Sequence, residues 1–299
     1  MAQGSLRPTS HAVGTDHLPH GRTTHLASLV SAGLIAAASL TSLTLGPETL
    51  YGTDESAALG VVRGFAGVLV PGFLARDAVN LFFGLPVLLV TQWWTWRGSL
   101  AGLLLWPGAL LFVLYTYASY LAGAPFNELF LAYATLVVLS ASATVSVLAR
   151  MDRVRVRQHL APTVPARALA LVLLALALLT LGQAASGALA AAVASAVPVE
   201  PLPRHIWTTD LTVKVPALLI GGVLVWRQLA LGYATVGGLF FGFGLASLGD
   251  AAIVALQPVL TGTPLDLATV VIPLVSSAIS LAMLASVLRG AGWGHRERS

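Results

Sequence analysis

Apolar stretches of about 20 residues, the length a helix needs to cross a bilayer, recur along nearly the whole chain, parted by short segments that collect Pro, Gly and charge. The first runs from Leu26 to Leu45. Its length, and the lack of a small-x-small cleavage site before Pro47, predict a retained helix rather than a signal peptide. Glu48, Asp54 and Glu55 then mark an external loop. The stretch Val61 to Trp94 is broken at Pro71-Gly72 and at Arg76-Asp77. It predicts a half-buried or re-entrant piece over 56–73, which spans, re-enters or lies on the membrane, and a second span from Leu74 to Trp94. Further spans are predicted at Ser99 to Leu121, Leu129 to Ala149, Ala168 to Val197, Asp210 to Trp226, Gly232 to Val259 and Pro264 to Leu288.

The fold class that follows is all-α: a polytopic transmembrane bundle of about eight helices. A polar cytoplasmic tail occupies 1–24, the helical domain 25–288 and a basic cytoplasmic tail 289–299. Composition supports it, since 57% of residues are hydrophobic and 9% charged, against about 25% charged in soluble domains. A chain of 299 residues cannot bury that much apolar surface in one water-soluble core, so the remainder must face lipid.

Charge orients the bundle. The net charge of +4 does not point to nucleic acid, because the arginines sit in short loops between apolar runs, as membrane topology requires. The loop holding Arg150, Arg153, Arg155, Arg157 and Arg167 against one acid, Asp152, is assigned to the cytoplasm. Alternation then places twelve of the sixteen basic residues inside, including those of both tails. Seven spans would put one basic tail outside, so eight with both termini inside is preferred. Fifteen of the sixteen are Arg; with the Ala-, Leu-, Val- and Gly-rich background this indicates a GC-rich bacterial genome, hence a bacterial cytoplasmic (inner) membrane.

A weak internal repeat is visible. Pro86 precedes Trp96-Arg97 and Pro216 precedes Trp226-Arg227, both pairs displaced by 130 residues. That offset aligns Asn80 with Asp210 and Tyr120 with Asp250, as in two parallel four-helix halves.

Ionisable residues at membrane depth are functional candidates by default, because each costs about 2.5–3.5 kcal/mol to insert. Thr263-Pro264-Leu265-Asp266 has the pattern of a helix start, with Asp266 a capping acid. Asp77 and Asp210 also read as acids at helix openings, favoured by the positive end of the helix dipole. Asp210 and Lys214 share a helix face, as do Arg76 and Asn80, and these four residues with Asp77 would gather at an outer mouth. Asp250 cannot be a cap. It lies far along its helix, near the C-terminal end, after Gly238, Gly242 and Ala246 at steps of four, and so projects toward other helices. A buried carboxylate there needs a partner such as Lys214 or a tyrosine. Tyr117 and Tyr120 share a face beside it, and Asn127 and Glu128 follow in the next turn; tyrosines near a helix end otherwise serve as interfacial anchors. Gly182, Ser186 and Ala190 form a small-residue stripe on the fifth span.

Several chemistries are disfavoured. Cysteine is absent, which removes disulfides and thiolate metal sites. His11, His17, His20 and His25 fall at irregular intervals in or beside the polar tail, and His159 and His205 fall in predicted loops, so no histidine box for haem or iron is expected. Gly244-Leu-Ala-Ser247-Leu-Gly249 has the wrong spacing for a nucleophile elbow. No phosphate-binding glycine loop or Asp-rich metal motif occurs; neither a cofactor nor a resident metal is expected.

The run Leu114-Tyr-Thr-Tyr-Ala-Ser-Tyr120 with Phe126-Asn-Glu-Leu-Phe130, together with Arg76-Asp77, Leu85-Pro86, Asp210, Val215-Pro216 and Trp226-Arg227, resembles a family of uncharacterised bacterial multi-pass integral membrane proteins. The resemblance implies the fold class and no activity. The leading functional expectation is transport or binding of a small molecule or ion through an outward-facing polar cavity. Asp250 would take a proton or cation, and Lys214 and Arg76 would pair with acids or a substrate anion. The alternative is a non-catalytic subunit or sensor that binds a membrane protein partner or a second copy of the chain; an intramembrane enzyme comes third.

Reporter fusions at Arg157 and Glu200 should report opposite sides of the membrane. Finding both on one side would contradict the oriented eight-span topology.

Overall fold

A computed structural model describes residues 21–45, 50, 72–124, 126–193, 201–261 and 267–292. Among these every regular element is helical: α1 (Gly21–Leu45), α2 (Gly72–Trp96), α3 (Leu100–Gly123), α4 (Phe130–Arg150), the short α5 (Arg153–Leu160), α6 (Ala166–Val193), α7 (Pro201–Thr209 running on through Asp210–Lys214 and Val215–Trp226), α8 (Ala230–Thr261) and α9 (Leu267–Gly290). All but α5 contain stretches long and apolar enough to cross a membrane, eight in total. The protein is a multi-pass membrane protein. The predicted re-entrant piece and Asp266 lie outside the described residues, apart from Gly72 and Phe73, which belong to α2.

Spans adjacent in sequence pack side by side within α1–α4 and within α6–α9, and α3 also packs against α8. Those two form the centre, with 78% and 61% of their most apolar windows buried, whereas the other spans bury between 28% and 39% and leave the rest for lipid. Residues 24–25, 95–100 and 150–159 converge at one end of the bundle. The end of α9 joins them, because Thr163 Oγ1 donates to the Gly290 carbonyl at 3.2 Å. This end carries the arginine-rich loop; Gly123 and His205 meet at the opposite end.

The two halves repeat in backbone detail. Residues Asn80–Gly84 and Asp210–Lys214 each form one wide π turn, in which the N–H of Leu85 reaches the carbonyl of Asn80 and that of Val215 reaches Asp210. Each turn is followed by proline, at Pro86 and Pro216. Proline has no N–H and collides with the carbonyl four residues earlier, and an extra residue in the turn relieves both problems. The helices then end alike: Gly98 and Gln228 both adopt left-handed backbone, at φ 74° and 52°, and Ser99 and Leu229 return N–H bonds to Trp94 and Leu224 at 3.0 Å. All these pairs differ by 130 in number.

The repeat meets itself where α3 crosses α8. A Cβ on Gly108 would strike the Gly238 carbonyl, and one on Gly242 would strike the Gly108 carbonyl. Gly108 and Gly238 again differ by 130, so equivalent positions of the two halves touch, as they must beside an axis that exchanges the halves. Glycine is required here because only backbone fits between the helices. The predicted stripe Gly182, Ser186 and Ala190 does not play that part: all three are exposed, and a Cβ on Gly182 meets nothing within 4 Å. The helix spacing alone cannot say which face finds a neighbour; α6 packs instead through Leu169, Leu173 and Ala177, with Gly187 against Trp207.

Gly108→Ala should destabilise the detergent-solubilised protein by about 1–3 kcal/mol, the usual cost of overpacking, while Gly182→Ala should leave the thermal midpoint unchanged. Equal midpoints for the two variants would contradict a backbone-to-backbone crossing.

Candidate functional site

The polar residues at membrane depth come together on α2, α3, α7 and α8, at the end opposite the arginine-rich loop. Arg76 is buried and points its guanidinium two ways. One nitrogen donates to Ser119 Oγ on α3 at 2.8 Å, and the other meets Asp250 Oδ1 on α8 at 3.3 Å. Asp250 therefore finds a cation, although Arg76 rather than Lys214 supplies it. Lys214 Nζ lies 3.8 Å from Asp210 Oδ1, one helical turn away. That same carboxylate oxygen accepts the Tyr115 hydroxyl at 2.8 Å.

Asp77 is buried and accepts the Tyr120 hydroxyl at 2.8 Å. Neither Asp77 nor Asp210 is a helix cap, contrary to the sequence expectation. The helices start earlier than hydropathy suggested, at Gly72 and Pro201, so both acids sit inside the helices and are held by tyrosines of α3. The π turns begin at Asn80 and Asp210, and a widened turn is a known way of re-aiming side chains at a site.

The repeat explains how the cluster crosses the molecule. In the first half, Asn80 Nδ2 lies 3.5 Å from the Tyr120 hydroxyl. Their counterparts in the second half, Asp210 and Asp250, turn to Tyr115 and Arg76 of the first half. Each second-half acid is thus bound to a polar partner from the other half. Three carboxylates, Asp77, Asp210 and Asp250, and two cations, Arg76 and Lys214, thus stand in one cluster.

An aromatic wall closes the site. Tyr120 packs on Tyr117, Tyr133 and Phe73, with ring centroids 5.4, 4.8 and 5.1 Å apart. Phe73 also stacks on His205 at 5.5 Å. The predicted loop around His205 is helix, and the imidazole is buried. The Tyr117 hydroxyl is buried beside Asp77, Asn80 and Ser39 but forms no well-aligned hydrogen bond among the described residues. Glu128 is exposed in the turn before α4 and stands apart, while Asn127 donates to the Leu50 carbonyl at 3.0 Å.

Beside the Arg76–Asp250 pair is a cavity of about 60 Å³, lined also by Phe73, His205, Ile206 and Ile253. At roughly 30 Å³ per water molecule, it accommodates an ion or two waters. No three His, Asp or Glu side chains among those residues converge as a metal site would require. Ser119 and the Arg76–Asp250 pairing escaped the sequence reading, although Arg76 and Asp250 were both legible as charges near the same end of their helices.

Compared with protein-family models, curated proteins and solved structures, the chain finds no match.

Tyr120→Phe, which strips a hydrogen bond from a buried carboxylate, should lower stability by about 1.5–3 kcal/mol. Tyr117→Phe should cost less, since its hydroxyl makes no well-aligned bond among the described residues. Denaturant titration in detergent separates the two, and equal losses would contradict the assignment of Tyr120 to Asp77.

Proposed function

We propose that this protein carries or binds a small ion, with the Arg76, Asp77, Asp210, Lys214 and Asp250 cluster as the site and a proton or monovalent cation as the species that Asp250 takes up. The observation that carries this reading is the Asp250 carboxylate, which meets Arg76 across the two halves and faces a small cavity. An ionisable pair held between two structural halves within helices that cross the membrane marks a candidate ion or proton pathway. Asp250 is the candidate carrier, since its side chain is 22% exposed and faces the small cavity, whereas that of Arg76 is 7% exposed. Closely related halves that meet across a central site suit an exchange between two packings. The size of the cavity favours an ion over a larger solute in this packing.

The sidedness proposed with it puts the arginine-rich end, and both termini, in the cytoplasm of a bacterial cell. Its support is the distribution of basic residues and the arginine-dominated composition. Membership in the bacterial multi-pass family rests on the sequence resemblance. A second reading, a subunit or sensor whose ion pairs lock helices together, is favoured by the way each cation of the cluster already has an acid.

Purified protein in liposomes, loaded with a pH-sensitive dye and polarised by a potassium gradient, should pass protons or sodium above the rate of protein-free vesicles. Asp250→Asn should cut that flux about tenfold or more while remaining folded and monodisperse. Failure of the native protein to carry protons, sodium or potassium would overturn the transport reading, and an Asp250→Asn protein that no longer folds would favour the structural one.

A further inference from the structure

The opposite end of the first half holds a second, larger pocket of about 540 Å³, framed by α1, α2, α3, α4 and the short helix α5. That volume lies within the range of small-molecule sites. The cluster described above has no part in it.

The pocket has two chemically distinct parts. Its floor is one face of α5, where Asp152, Arg155 and His159 recur at helical spacing. Arg150 adds a further cation at the end of α4. Two arginines and a histidine therefore meet one acid, and that acid is already committed: Asp152 caps α5 by accepting the N–H of Arg155 at 3.0 Å and lies 3.8 Å from the Arg155 side chain. The upper wall is apolar, formed by Leu100, Leu103, Trp106 and Val147.

The walls are built before any ligand arrives. Trp106 stacks on His25 with centroids 4.6 Å apart and planes 17° apart, and donates to Ser28 Oγ at 3.3 Å. Arg150 donates to Thr24 Oγ1 at 3.0 Å, tying α4 to α1. Val156, which also lines the pocket, and Leu160 are buried on α5, which packs against α8 and so fixes how the basic face is presented. Trp96, 79% exposed, stands at the rim, where an indole suits the boundary between headgroups and acyl chains.

We infer that this pocket binds an anionic amphiphile, a lipid whose phosphate ester sits on Arg150, Arg155 and His159 and whose acyl chain lies along Leu103 and Trp106. A guanidinium fork matches phosphate oxygens in pairs, and basic pockets between spanning helices recognise lipid headgroups through this combination of charge and apolar wall. A free anion would use the floor and leave the apolar wall without a function. A neutral lipid would leave the arginines uncompensated.

The test titrates the full-length protein in mild detergent with dioctanoyl phosphatidylglycerol, dioctanoyl phosphatidylcholine or inorganic phosphate, following occupancy by native mass spectrometry. The anionic lipid should bind about tenfold tighter than the zwitterionic one. Arg155→Gln with His159→Gln should remove most of that preference, at about fivefold per basic group; both side chains are exposed, so the core is untouched. Leu103→Trp should weaken lipid binding with every charge kept, and Arg167→Gln, at an exposed arginine outside the pocket, should change nothing. Equal affinity for the two lipids, an undiminished preference in the double variant, an equal loss in Arg167→Gln, or phosphate binding as tightly as the anionic lipid would each overturn the assignment.

Discussion

An ionised carboxylate inside a bilayer must be neutralised by groups the protein itself supplies, and much of this molecule is arranged around that constraint. Asp250 stands on the central helix α8 and is held by Arg76 of α2; Asp210 on α7 is held by Tyr115 of α3 and by Lys214. Pairing of this kind is weak evidence for stability, since desolvating both members offsets much of their attraction. It does impose geometry, because the pairs close only when the two halves sit in one relative position.

The backbone places the charged side chains. Small residues let α3 and α8 approach at Gly108 and Gly238, bringing Tyr115 within reach of Asp210 in the second half. The two π turns give α2 and α7 an extra residue per turn next to a proline, at the points where Asn80 and Asp210 enter the cluster. Both features recur at the offset of 130 residues that relates the two halves. At the aligned positions the halves differ: Asn80 pairs with Tyr120 inside its own half, while Asp210 and Asp250 bind across.

Hydropathy made the eight spans legible, with most ends placed within a few residues, because lipid demands long apolar runs whatever the tertiary packing. The offset of 130 was also visible, through Pro86 and Pro216, although the π turns behind those prolines were not: a slip of one hydrogen bond leaves no mark on hydropathy. Asp250 stood out because no capping role fits the C-terminal part of a helix. Asp77 and Asp210 were misread as caps because polar residues near a span's end look the same whether the helix starts there or a turn or two earlier. His205 was misread for the same reason. The exposed stripe on α6 shows the converse limit, that small residues permit close approach without specifying a neighbour.

The link between Arg76 and Asp250 is the most exposed part of this account. Its direct test is a double-mutant cycle on the stability of the detergent-solubilised protein, using Arg76→Gln, Asp250→Asn and both together. A joined pair predicts that the double variant loses less than the sum of the single losses, by a coupling of about 0.5–3 kcal/mol. Losses that add to within about 0.3–0.5 kcal/mol would show that the two charges do not depend on each other, and would contradict a site shared between the halves.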